Sequence, residues 1–178
     1  MSVVVYDTGM PMALVSQDQR AHALHKGFVV TGGHPPIVPG PALSQAWRTS
    51  PKTAYAWKRL LADVFVFPAA RTRLTADQVP HCLPCAAGMT IEHWKIVGDM
   101  VGAAALPPEK RPDPVDALAV FIAAVHGGGA VLASDTDGIA AYAATLPAAD
   151  VSAVAVRLGG PPGRYGPGAG RIQQECSA

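Results

Sequence analysis

The sequence predicts an α/β fold built on a largely parallel sheet, and three observations carry that prediction. Short apolar, β-branched-rich runs stand at 2–6, 37–38, 64–67, 130–133 and 151–156, each of strand length. Between them apolar residues return at helical spacing, and strands that alternate with helices pair in parallel through crossovers. The apolar share is 49% and the charged share only 15%, which suits a chain of 178 residues burying one core and excludes wholesale disorder.

Taken in order, 2–6 is a buried strand that stops at the polar turn Asp7-Thr8-Gly9. Helical sequence follows at 10–16 and 18–30, where Ala21, Leu24, His25 and Phe28 share a face and Gly32-Gly33 ends the run. After the strand at 37–38, Pro41 opens a helix carrying Leu43, Gln45, Ala46 and Trp47. Ser50 and Pro51 read as the cap and first turn of the next, with Ala54, Trp57, Leu60 and Leu61 on its inner face. Residues 75–88 hold Pro80, Pro84 and Gly88 without periodicity and read as a loop insertion. Thr90 caps a helix whose Ile91, Trp94, Val97 and Val101 recur at helical spacing. A nearly all-apolar helix begins at Asp113 and ends at Gly127. Residues 134–138 are the polar exit of the fourth strand, 139–146 a short helix, and 151–156 the fifth strand. One domain is expected over 1–156, followed by a Gly/Pro-rich tail, 157–178, expected to be disordered.

The formal charge of +1 gives no global basic field, yet Arg48, Lys52, Lys58, Arg59, Arg71 and Arg73 face the single acid Asp63 within one stretch. Such a run is either a phosphate-facing stripe or a solvated helix face. There is no basic leader and no apolar run of membrane length, and the cysteines are three, Cys82, Cys85 and Cys176. A reducing cytoplasm is the expected setting rather than an exported disulfide scaffold. No Ser-centred nucleophile elbow or phosphate-binding glycine loop is present, and His22, His25, His34 and His126 suggest no triad.

Ligand sites in open α/β sheets form beyond the carboxyl ends of strands, where strand order reverses. Asp7 and Asp135 each follow a strand directly, with Thr8 and Ser134 as hydroxyl neighbours, and Asp116 lies in the first turn of the apolar helix that leads to the Asp135 strand. Three carboxylates in one partly buried pocket repel one another unless a cation neutralises them, and an all-oxygen set favours Mg²⁺ or Mn²⁺. Phosphodiester hydrolysis is the chemistry such an ion serves. Each aspartate also has a plain structural reading: Asp113-Pro114-Val115-Asp116 is a helix cap, and Asp135-Thr136-Asp137-Gly138 an ordinary turn.

Val-Val-Val-Tyr-Asp-Thr-Gly at the start, Pro-Ala-Leu-Ser-Gln-Ala-Trp-Arg at 41–48, Asp-Pro-Val-Asp-Ala at 113–117 and Val-Leu-Ala-Ser-Asp-Thr-Asp at 131–137 together resemble the PIN-domain family, especially the VapC-like ribonuclease toxins of toxin–antitoxin pairs. The resemblance covers roughly 3–156. It implies a three-layer α/β/α sandwich with a short, mostly parallel sheet and a metal-dependent endoribonuclease. The family's first, third and fourth acids fall on Asp7, Asp116 and Asp135. Its second acid, usually Glu, falls on Gln45, which offers an amide oxygen but no charge and so lowers metal affinity. Asp137 or Asp113 would compensate in part. RNA as substrate, a cognate antitoxin over the acidic cleft and a homodimer are further implications, with Arg48, Lys52, Lys58 and Arg59 steering RNA and Thr8 and Ser134 orienting the carboxylates. The rival expectation is a PIN-like nucleic-acid-binding or regulatory protein that has lost turnover, with Gln45 as its main support; a DNA-directed nuclease is a third.

His81-Cys82-Leu83-Pro84-Cys85 stands apart from all of this. A CxxC beside a histidine can begin a zinc site, with His93 the conceivable fourth ligand, but structural zinc sites have four ligands at cleaner spacing. The expectation is an unligated loop.

Overall fold

The computed structural model describes residues 2–48, 50–68 and 82–156. Alternation within the strands sets its layers. Val3 and Val5 of β1 (Val3–Tyr6) enter one core and Tyr6 the other, while β4 (Gly129–Ala133) splits likewise, Val131 and Ala133 on one face and Leu132 on the opposite. Both faces are apolar because both are covered, as in parallel sheets. On one side lie α1 (Gly9–Val15), α2 (Gln19–Thr31), α3 (Gly40–Ala46) and α4 (Pro51–Asp63). On the other lie α5 (Leu83–Ala87), α6 (Ile91–Ala103), α7 (Pro114–Val125) and α8 (Thr136–Ala143). The result is a mixed α/β fold with a five-stranded, all-parallel sheet, consistent with the three-layer α/β/α sandwich.

With β2 (Ile37–Pro39), β3 (Phe65–Phe67) and β5 (Val151–Ala155), the strand order is β3-β2-β1-β4-β5. The chain steps outward from β1 to β3, crosses back over the sheet, and resumes on the far side of β1 with β4. β1 pairs with β4 over Val3↔Gly129 to Tyr6↔Leu132 and with β2 at Val5↔Ile37. The switch point therefore lies between β1 and β4, the strands that lead into Asp7 and Asp135.

Local chemistry explains most boundaries. Asp18 caps α2 by accepting from the Ala21 amide at 2.8 Å, and Ser50 and Thr53 form a reciprocal capping box at α4. Thr90 and His93 do the same at α6. Buried along most of its length, α7 meets β1, β2 and β4.

Several expectations need correction. Residues 83–87 are a short helix, α5, not loop, while 69–81 and the tail 157–178 lie outside the described residues. The last helix begins at Thr136 rather than 139, because Asp135 caps it through the Gly138 amide. On α4 the buried face is Trp57 and Leu60; Ala54 and Leu61 are exposed. On α6 it is Val97 and Met100, while Ile91 is exposed and Trp94 borders an open apolar groove with Val101 and Leu118. Trp47 ends α3 instead of lying within it, stacked on Trp57 at 4.8 Å between ring centroids. No described helix is long and apolar enough to cross a membrane.

Candidate functional site

β1 ends at Tyr6, and the next residue, Asp7, is held by its amide to the Leu132 carbonyl at 3.0 Å. Asp7 is therefore fixed at the sheet's carboxyl edge, and it is 6% exposed. Asp116 reaches the same place from the first turn of α7, whose cap Asp113 accepts from the Val115 amide at 2.8 Å. Tyr142 of α8 locks that cap by accepting from the Asp113 amide at 2.8 Å. Asp7, Thr8, Gln45, Asp113, Asp116, Ser134 and Asp135 line one open cleft of about 340 Å³, together with Lys110 and Arg111.

Asp7 and Asp116 are close enough to share a hydrogen bond. Burial is the main force on both, and the Asp7 charge adds to it at Asp116, whose carboxyl is pushed up to about 8. Asp7 is raised as well, by burial first and the Asp113 charge in support, against the Thr8 and Gly9 amides. Without a counter-charge the pair favours holding one proton in common.

Asp135 differs. Burial would raise its carboxyl, but the Lys110 ammonium and the Gly138 amide outweigh it and hold Asp135 below the usual carboxylate range. Lys110 is itself raised by this hydrogen bond, and it lies 3.8 Å from Asp137. Asp137 is largely exposed and does not line the cleft. Thr8 donates to the Gln45 amide oxygen at 2.7 Å, so the residue at the second acidic position of the resemblance is tied to the hydroxyl that follows Asp7. Gly138 is needed for space: a Cβ there would stand 2.8 Å from the nearer Asp135 carboxylate oxygen.

Lys110 and Arg111 are the residues sequence reading missed. The signal, two adjacent cations just before Pro112-Asp113, was present but looks like any surface turn. By contrast, the basic residues expected to steer RNA do not line the cleft. Arg48 turns back on the carbonyls of Gln45 and Trp47, at 3.0 and 2.7 Å. Arg59 borders a separate depression with His22, His25 and Asp63, and Lys52 and Lys58 are exposed on α4. Arg71 and Arg73 lie outside the described residues.

The histidines suggest no triad in the sequence, yet two of them, His34 and His126, meet the CxxC. His34, Cys82, Cys85 and His126 bring one ligand atom each to within 4.8 Å of one another. Among the described residues this is the one group of three or more potential metal-ligating side chains so tightly gathered. A metal can thus be held by His and Cys, whereas Asp7, Asp116 and Asp135, expected as the ligand set, are not gathered as tightly. His93, the conceivable fourth ligand, caps α6 and packs on Phe121 instead. Spacing alone could not reveal the set, because its histidines are 48 and 41 residues from the cysteines they touch.

Comparison of the chain with family models and with curated proteins returns no match.

Proposed function

We propose that this chain is a divalent-cation-dependent endoribonuclease of the PIN type, a hydrolase acting as the toxin of a toxin–antitoxin pair. One observation carries the reading: Asp7, Asp113, Asp116 and Asp135 share a cleft with Lys110 and Arg111 at the carboxyl ends of β1 and β4. A basic rim around an acidic floor is what a cation and a phosphodiester together require.

The residues fit Mg²⁺ or Mn²⁺. The donors are oxygens, and Asp7 and Asp116 are a mutually repelling pair whose shared proton a cation would displace. Asp7, Asp116 and, once released from Lys110, Asp135 would hold it. When bound, the ion supplies Lewis-acid polarisation of the phosphoryl group and activation of a water. The chain's own part is to position. Lys110 and Arg111 supply positive charge for non-bridging phosphate oxygens, and Thr8 holds the Gln45 amide in a fixed orientation. The Tyr142 bond to Asp113 keeps the first turn of α7 seated under the cleft.

Calorimetric titration of Mn²⁺ into wild type and Asp7→Asn, beside cleavage of a mixed RNA panel, tests the proposal. Binding and cleavage that both vanish in the variant support it; a wild type that binds no divalent ion and cuts no RNA sinks it. A DNA panel run in parallel separates the deoxyribonuclease alternative. A cognate antitoxin, a homodimer and a cytoplasmic setting belong to the same proposal, and growth arrest on overexpression, relieved by Asp7→Asn, is its cellular counterpart.

A second reading has its own support. Gln45 removes one charge from the floor and Lys110 neutralises another at Asp135, which suits a PIN-like protein that binds nucleic acid without turnover. RNA retention without cleavage, unchanged by Mn²⁺, would favour it.

A further inference from the structure

The CxxC segment stands outside the acidic cleft and its chemistry. Cys82 and Cys85 flank the first turn of α5, His34 precedes β2, and His126 ends α7. Cys85 is buried and the other three are half-buried. Cys85 Sγ lies 2.9 Å from His126 Nε2 and 3.3 Å from His34 Nε2, and Cys82 Sγ lies 3.4 Å from the same His34 nitrogen.

The tautomers are fixed by the backbone. His126 Nδ1 is 2.7 Å from the Ile122 carbonyl and His34 Nδ1 is 2.6 Å from the Pro35 carbonyl. A carbonyl only accepts, so each Nδ1 carries the proton and each Nε2 presents a lone pair to the sulfurs. Hydrogen bonds among these groups cannot then account for all three contacts. Two thiols hold two protons, and each Nε2 accepts one, so a third sulfur–nitrogen contact leaves lone pair against lone pair. A cation at the centre satisfies all four atoms at once.

We propose that His34, Cys82, Cys85 and His126 form a closed Cys₂His₂ site for one structural Zn²⁺. Four ligand atoms at tetrahedral zinc distances stand about 3.3–3.8 Å apart; two of the sulfur–nitrogen contacts, 3.3 and 3.4 Å, are at the lower end of that range, the third is shorter at 2.9 Å, and the whole set lies within 4.8 Å. Two thiolates balance the ion's charge, and the soft–borderline donor set suits zinc rather than the hard cation proposed for the aspartates. The backbone carbonyls that orient both imidazoles are the supporting contacts metal-bound histidines have. All four positions are filled by protein, leaving none for substrate, which makes the site a staple: it ties α5 to the loop before β2 and to the end of α7. This inference does not depend on the nuclease reading.

The test uses the untagged full-length chain, purified without chelator. Metal analysis is expected to find one zinc per chain in wild type and in Asp7→Asn, and background in Cys82→Ser/Cys85→Ser. Cobalt exchanged for zinc is expected to give the visible bands of a tetrahedral thiolate site, and His34→Cys, which keeps a donor and so protects the fold, to shift the sulfur-to-metal band upward in intensity. Metal-free wild type that takes up no cobalt, zinc retained by the double-serine variant, or intact-mass evidence of a Cys82–Cys85 disulfide would each overturn the site. An unchanged cobalt spectrum in His34→Cys would overturn His34 as a ligand and with it the four-ligand set.

Discussion

Lys110 governs how many of the cleft's carboxylates are free, since its ammonium is bonded to Asp135 and stands near Asp137. Replacing it with methionine should leave Asp135 unpaired and tighten Mn²⁺ binding by up to about fivefold, the scale of a solvent-accessible ion pair. RNA cleavage should fall in the same variant, because a positive group for the phosphate is lost. Tighter binding with undiminished cleavage would remove Lys110 from the proposed machinery. Gln45→Glu tests the complementary point: the Thr8 hydroxyl can still donate, and the added charge should raise Mn²⁺ affinity by about tenfold. Calorimetry reads both variants. Asp7, Asp116 and Asp135 were legible in the sequence because strand ends and helix first turns are local features. The Lys110–Asp135 pair was not, since it joins groups 25 residues apart through a turn whose direction no local pattern encodes.

The contact between Tyr6, His25 and Asp63 ties β1 to α2 and α4. Asp63 only accepts, so His25 Nε2 donates to it at 3.4 Å and Nδ1 accepts from the Tyr6 hydroxyl at 2.9 Å. Burial lowers the imidazole from its ordinary 6.5; Asp63 opposes, and His22 and Arg59 reinforce the lowering. A depressed value means the unfolded chain takes up the proton first. His25 thus contributes stability that is complete above 6.5 and is lost as pH falls from there through the folded value. Urea denaturation across that window should show a shallower pH slope for His25→Gln; an identical slope would remove His25 as the cause. At α8, Gly138→Ala forces a Cβ to within 2.8 Å of Asp135 and should cost about 1–3 kcal/mol. Gly98 in α6 has open space at its Cβ, so Gly98→Ala should instead stabilise by about 0.5–1 kcal/mol. Chemical denaturation measures both, and a destabilised Gly98→Ala would mean that this helix is not packed as described. Helix existence was readable from capping residues and periodicity, and so was the middle of each buried face, Ala21 and His25 on α2, Trp57 and Leu60 on α4 and Val97 on α6; how far the face extends was not. Ile91 and Trp94 satisfy the helical pattern and are nonetheless exposed.

Across the molecule, an all-parallel sheet separates its two ends. Asp7 and Asp135 follow β1 and β4, whereas His34 and His126 precede β2 and β4. Twelve-residue α7 runs between them, about 18 Å at the usual helical rise, with Asp116 in its first turn and His126 at its close. Alternation of strands and helices made the parallel sheet legible. The strand order, and with it the gathering of His34 and His126 around the CxxC, depends on crossovers that composition does not specify. That order also has a consequence for synthesis. The central strand β1 is made before the other four, yet its partner β4 comes fourth, and Val3 must wait for Gly129. Until then Leu132 is not there to hold Asp7, and α7 has only the β1-β2-β3 half of the sheet to settle on. Nascent chains halted before β4 should therefore lack the assembled cleft, so that the activity proposed for it arises only once β4 has emerged.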